Sequence, residues 1–489
     1  MAEAPSSLWA LADAGDRPAK ATRRAPIRRS RVRVMTILFL ATVLGLALMI
    51  PGGLASEARL ALFAFGAAVI LWSLTGINAA YVALGAVLLM VLGRAIEQEE
   101  LFEALEADVI WLMIGAFILG EAVLRTGLAA RLTQAIAVRA RNVGQMLWLI
   151  TATLLPLAFL IPSTSGRAAV AIPVFRSLSE AVNDPKVTRA LALLVPTVIL
   201  VSTTASLIGA ASHLIANDLL DDVSDTRISF AAWVLYGAPF GVAASFCSAF
   251  VVGRLFLNAE QRRLPLQAMA VASPRAFSRD ETVTLIVIAG MVALWLLEEW
   301  HKLEVATVGV LGAFILTFPV VGVLSWKDGL KAVSWNLVLF VGAALVLGEA
   351  LIETGAAKWL IEGMFRATGL AQGGSPLLVL LAVTVITLTS HVYLTSHTAR
   401  AAAMIPPLLY LAQALGVNPA AMMFIATVGM NYCLTFPVSS KALLMFQELD
   451  RETWRPADLL KLSAVLLPVH AVLMVAFYYG WWRYAGLAL

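Results

Sequence analysis

Two short polar runs interrupt an otherwise apolar chain, Ser163-Thr164-Ser165-Gly166-Arg167 and Ser396-His397-Thr398-Ala399-Arg400. Each offers three hydrogen-bonding side chains and then a guanidinium. Hydroxyls and an imidazole can hold a carboxylate, and hydroxyl lone pairs can accept a cation. Two further clusters follow: Ser202-Thr203-Thr204-Ala205-Ser206 with Gly209 and His213, and Asn431 through Thr435 with Pro437, Ser439, Ser440 and Lys441. Pro437 removes a rung of helical hydrogen bonding, which Ser and Thr can re-satisfy or which an ion can occupy.

Several charged residues accompany these runs. Arg167 and Arg400 suit a carboxylate through their planar fork, and equally suit an interfacial anchor at a helix end. Lys441 is either a functional charge within a span or a side chain that snorkels to the interface. His213 and His397 are neutral donors or fixed cations. Glu121 and Glu349 carry protons or cap backbone, and a direct role in holding an anion is not expected of them. Cys247 and Cys433 lie apart in apolar runs, with no CxxC, HExxH, GxGxxG or P-loop pattern. A metal enzyme and an ATP-driven pump are therefore not expected, and nor is enzymatic activity of another kind.

The elements that carry these residues must lie in a bilayer. Of the 489 residues, 60% are hydrophobic and 13% charged, where a soluble domain carries about 25% charged. Apolar spans near 34–50, 58–74, 78–96, 109–125, 187–216, 229–256, 281–298, 305–322, 336–354, 420–446 and 459–485 give about eleven crossings. Regions 144–183 and 375–415 are each cut at the centre, the first at Pro162 and the second at Thr395, just before the polar runs. Each is expected to be a re-entrant hairpin. The tail 1–33 is basic and is expected to be disordered, to lack a cleavage site and to stay in the cytoplasm, with no role in binding nucleic acid. With that tail inside, the acidic loops fall outside and the basic linker 257–280 falls inside.

The polar runs are copies. Ser163–Pro173 and Ser396–Pro406 share six of eleven residues, and Leu119–Gly127 and Leu347–Gly355 share six of nine, in the same order. The expected organisation is a helix at 34–57, a first repeat over 58–256 and a second over 281–489. One extra helix ahead of the first repeat makes the two inverted, an arrangement that transporters use to bind substrate at the membrane midplane.

At these residues the chain resembles the divalent-anion/sodium symporter family of dicarboxylate, citrate and sulfate carriers. Ser163-Thr164-Ser165 and Ser396-His397-Thr398 resemble that family's two Ser-Asn-Thr motifs. Ser206–Gly209 and Pro437–Ser440 resemble its two unwound helices, and Ala399-Arg400-Ala401 resembles its carboxylate-exchanging branch. The resemblance implies an all-α polytopic inner-membrane protein, a homodimer, moving a small divalent anion by sodium-coupled symport or by exchange in an elevator motion. The anion would rest on Ser163, Thr164, Ser165, Ser396, His397, Thr398, Arg400 and Lys441. Sodium, the only coupling ion expected, would rest on Ser163, Ser206, Gly209, Ser396, Thr435 and Ser439. The chain departs from the family where Thr164 and His397 stand for Asn. A fixed positive charge there would weaken the sodium requirement. A sodium/proton antiporter or arsenite-type carrier of the same architecture, with Glu121 or Glu349 carrying protons, is the alternative.

Overall fold

The computed structural model describes residues 27–49, 54–75, 77–128, 131, 139–161, 163–266, 276–357, 359, 376–392, 394, 396–447, 449 and 453–489. Residues 1–26 of the tail, 267–275 of the linker, and the tip residues Pro162 and Thr395 lie outside them. Among the described residues the fold is all-helical, with one isolated bridge between Asn142 and Pro265.

In chain order the principal helices are α1 (Ile27–Met49), α2 (Ser56–Leu74), α3 (Ala79–Leu92), α4 (Asp108–Thr126), α5 (Val143–Leu154), α6 (Thr164–Val182), α7 (Pro185–Val201), α8 (Ala211–Ser224) and α9 (Phe230–Leu255). There follow α10 (Arg279–Leu296), α11 (Val305–Thr317), α12 (Trp335–Glu353), α13 (Pro376–Thr389), α14 (His397–Leu415), α15 (Pro419–Met430), α16 (Lys441–Gln447) and α17 (Pro456–Phe477). Among the described residues, seven helices are long and apolar enough to cross a membrane, and five shorter apolar helices accompany them. This is a polytopic membrane protein.

Most boundaries fall within a few residues of the expected spans, and the differences have local causes. The first helix starts at Ile27 rather than 34, so part of the basic run is helical; arginine is a good helix former. α11 stops at Thr317, two residues before Pro319, which pushes Phe318 into extended backbone. The expected crossings 187–216 and 420–446 are each two helices around a break.

The same order of elements occurs twice. α4 and α12 end alike, at Gly127 and Gly355, each in the left-handed region with φ of 76° and 72°. A side chain there is strained, so the repeated Thr-Gly is a helix stop. The threonines fold back onto the preceding turn, Thr126 Oγ1 to the carbonyl of Ala122 at 2.9 Å and Thr354 Oγ1 to that of Ala350 at 2.6 Å. A helix, a break and a second helix follow in each half (α5 and α6; α13 and α14). A broken pair comes next (α7 and α8; α15 and α16), then a last long helix (α9; α17).

Packing sorts these helices into two groups. In one, α4 packs on α11, α12 on α3, α2 on α1 and α3, and α10 on α11. Gly115 of α4 and Gly309 of α11 bring their backbones together where a Cβ would not fit. In the other, α6 and α7 pack on α16, α8 on α14 and α15, and α9 on α17, so the two halves interlock. Its axis is α7, which is buried continuously from Ala190 to Val201. The groups meet mainly where α12 touches α8 and α14.

Candidate functional site

Each polar run sits at the start of a 19-residue helix, α6 or α14. Ser163 caps α6, its Oγ accepting the N–H of Gly166 at 3.2 Å, and Ser396 caps α14, accepting that of Ala399 at 3.3 Å. A serine used as an N-cap keeps its own O–H to donate. Thr164 and Ser165 follow at the first turn of α6, and His397 and Thr398 at that of α14. All six side chains are partly accessible. Thr398 Oγ1 lies 3.0 Å from Ser396 Oγ. The N-termini of two long helices add partial positive charge at these groups.

Four residues beyond each cap, one helical turn on, stands an arginine with no exposure at all, Arg167 or Arg400. Complete burial excludes the interfacial anchor. Each guanidinium instead reaches the broken helix of its own half. Arg167 Nη2 donates to the carbonyl of Gly209 at 2.6 Å, and Arg400 Nη1 to that of Tyr432 at 3.1 Å. A break leaves carbonyls that no helix satisfies, and a buried guanidinium supplies their donors. Arg167 keeps its Nε and Nη1 without a protein partner among the described residues.

The first break, between α7 and α8, is two short turns, Ser202–Ala205 and Leu207–Gly209. Ser202 and Thr203 only re-satisfy the end of α7, bonding the carbonyls of Ile199 and Leu200. Ser206 and Ser212 are buried with hydroxyls that find no partner among the described residues, and so is Ser439 in the second break. Gly209 lies so close to Thr203 that a Cβ would run into its carbonyl oxygen. Gly237 of α9 meets the carbonyl of Thr204 in the same way, and Trp233 Nε1 bonds that carbonyl at 3.1 Å.

Asn431, at the second break, joins the halves. Its Nδ2 donates to Thr204 Oγ1 at 3.2 Å and to His213 Nε2 at 2.8 Å, and His213 Nδ1 lies 3.0 Å from the carbonyl of Ser206. An imidazole that accepts at Nε2 and donates at Nδ1 is neutral. His213 is therefore a neutral donor here, stacked on Trp233. Replacing Asn431 with leucine should leave that Nε2 buried and unpaired, at a cost of about 1–3 kcal/mol. A lower melting temperature in detergent, partly restored by adding His213→Leu, is expected; strict additivity of the two changes would contradict the contact.

His397 Nε2 lies 3.1 Å from Cys433 Sγ. Cys433 stands two residues after Asn431, which bonds His213 of the first half, so the second tip lies at the junction of the halves. Thr435 is already engaged twice, by His391 Nε2 at 2.6 Å and Ser463 Oγ at 2.7 Å, and Tyr432 extends the chain to Ser463 at 2.9 Å. Lys441 opens α16 with an exposed side chain, unlike the two buried arginines. Glu121 lies apart from the tips, bonded to Arg125 at 2.8 Å, and its repeat partner Glu349 is half-buried on α12. No cluster of His, Cys, Asp and Glu suited to a metal occurs among the described residues.

Sequence reasoning passed over His391, Ser463 and the bridge at Asn431. Nothing in their spacing marks them, because each acts across 28 or more residues. Arg167 did carry a signal, since Ser-x-x-x-Arg places cap and guanidinium on one helix face.

Comparison with known proteins adds the family. The family described as the sodium:sulfate symporter transmembrane region matches residues 29–488. The chain belongs to this family. Its relatives include a membrane protein of Cupriavidus necator, 27% identical over 68% of this chain and 66% of its own. Another is a protein of Staphylococcus saprophyticus named sodium-dependent dicarboxylate transporter SdcS, 26% identical over 76% of each chain. Two solved transporters share the fold. One is YdaH of Alcanivorax borkumensis, with a TM-score of 0.58 and 14% identity, over 87% of this chain and 99% of its own. The other is MtrF of Neisseria gonorrhoeae, at 0.59 and 10%, over 92% and 94%. The chain is thus a membrane transporter and not an enzyme.

Proposed function

We propose that this symporter-family protein exchanges small dicarboxylates across the bacterial inner membrane, with its N-terminus in the cytoplasm. The observation that carries the reading is the pairing, in each half, of an accessible hydroxyl-bearing helix start with a buried arginine one turn behind it. Ser163, Thr164, Ser165, Ser396, His397 and Thr398 hold the carboxylates, and Arg167 and Arg400 supply fixed positive charge. A fixed charge offsets the charge of a dianion without a transported cation. Exchange follows, because an empty site keeps its charge and is costly to carry through a low-dielectric region. The two halves are inverted repeats. The group holding both tips moves as an elevator against the α4–α11–α12 group, in a homodimer.

Sodium symport is the second reading. It is favoured by the name of the Staphylococcus relative and by the unpartnered hydroxyls of Ser206 and Ser439, which suit a small cation. One experiment separates the two. Purified protein in liposomes, preloaded with unlabelled succinate or left empty, takes up labelled succinate with sodium present or absent. Uptake that needs internal succinate and ignores sodium is the expected result. Uptake into empty vesicles driven by a sodium gradient would establish symport instead, and no uptake of dicarboxylate, citrate or sulfate would overturn both readings.

A further inference from the structure

A second concentration of positive charge lies away from the tips, where the ends of α7, α9 and α17 meet. A cavity of ≈ 470 Å³ there is lined by Lys186, Arg189, Arg254 and Lys461, with Asp458 as its one acid. Asp458 cannot neutralise four cations. Its Oδ2 already accepts the N–H of Arg455 at 2.9 Å in the first turn of α17, and it stands 3.9 Å from Arg189 Nε.

The remaining cations have no hydrogen-bonding or ionic partner among the described residues. Lys461 Nζ lies over the ring of Phe256 at 5.6 Å, and the Arg254 guanidinium over that of Phe250 at 5.0 Å. Lys186 extends from the start of α7 into the cavity with an exposed side chain. The neighbouring Arg262 shows the contrast, since its Nη1 is used by the carbonyls of Gly253 and Leu257 at 3.0 and 2.6 Å.

Exposed apolar side chains stand next to these cations on the same helices. Phe250 is 51% exposed on α9, and Leu460 is 53% exposed on α17 beside Lys461. An ordinary cytosolic anion has no use for exposed aromatic and aliphatic surface at the rim of its site. A molecule with a charged head and hydrocarbon tails fits both parts. Basic cavities between spans on the cytoplasmic side bind anionic headgroups in this way, and arginine meets phosphate through paired N–H bonds.

We propose that this cleft is a binding site for the phosphate of an anionic phospholipid of the inner leaflet, with the acyl chains along Phe250 and Leu460. The cleft faces the cytoplasm on the topology given above, and the proposal rests on that topology but not on the transported anion.

The test uses the full-length protein in detergent, with wild type beside Lys186→Gln/Arg254→Gln/Lys461→Gln and beside Lys461→Gln alone. All three side chains are exposed, so the folded state should survive, and an unchanged elution volume and melting temperature in phosphatidylcholine check that. Native mass spectrometry counts bound lipid after addition of phosphatidylglycerol or phosphatidylcholine, and melting is repeated with inorganic phosphate. Wild type should retain phosphatidylglycerol over phosphatidylcholine, and each neutralised cation should weaken retention about fivefold. Equal retention of the two lipids, or retention unchanged in the triple variant, would overturn the proposal. So would stabilisation by inorganic phosphate equal to that by phosphatidylglycerol, which would mark a site for free phosphate. Because no step measures transport, the result is independent of how the carrier is coupled.

Discussion

Glutamine in place of Arg167 or Arg400 should lower succinate exchange about a hundredfold while the folded protein is still recovered. A unit charge about 5 Å from a carboxylate contributes roughly 3 kcal/mol at an effective dielectric of about 20, which is about a hundredfold in binding. The amide of glutamine can still donate to the carbonyl of Gly209 or Tyr432, so the break need not collapse. Lysine should retain part of the activity, because it keeps the charge and loses the fork. At Arg167 the loss on going to lysine should be the greater, since Nη2 holds Gly209 while Nε and Nη1 remain for a ligand. The exposed Lys441 serves as the comparison, and Lys441→Gln should cost much less. Counterflow in liposomes reads all of these. Full activity in both glutamine variants would remove the arginines from the site.

Gly209→Ala should lower the melting temperature and abolish transport, although it adds a single methyl group. That methyl would meet the carbonyl oxygen of Thr203, which is backbone and cannot swing aside. Overpacking a rigid site costs about 1–3 kcal/mol or more. Here the strain falls on the residue whose own carbonyl Arg167 holds, so binding should suffer along with stability. Gly85→Ala in α3 and Gly290→Ala in α10 are the matched controls. An added Cβ at either position meets nothing within 4 Å. Both should leave transport intact and raise helix stability by about 0.5–1 kcal/mol. A Gly209→Ala protein that melts and transports like these controls would mean that the break is far looser than the contacts around it.

Much of the fold could be read from the chain because membrane helices declare themselves locally. Long apolar runs give the spans, and the copied Ser163–Pro173 and Ser396–Pro406 segments give the order of the halves. The repeated Thr-Gly at Gly127 and Gly355 sets helix ends by backbone chemistry that needs no partner, and Pro319 does the same inside the expected span 305–322, where its signal went unused. The site was legible only in part. The cap serines announce themselves by position. The burial of Arg167 and Arg400 does not, because an arginine just past a helix start reads equally well as an interfacial anchor until the broken helices are seen against it. Lys441 shows the reverse, a cation within an apolar region that nevertheless ends exposed. The bridge from Asn431 to Thr204 and His213 lies across 218 or more residues, beyond any local pattern.

Each buried arginine is fastened to the broken helix of its own half, so the positive charge belongs to the site and travels wherever the site does. On the proposed reading, a bound dianion cancels two guanidiniums and the loaded carrier crosses without sensing the membrane voltage. The empty carrier is a double cation, and each elementary charge is worth about 2.3 kcal/mol per 100 mV. In an energised cell, negative inside, the voltage itself would hold the vacant site facing the cytoplasm until an internal dicarboxylate arrives to discharge it.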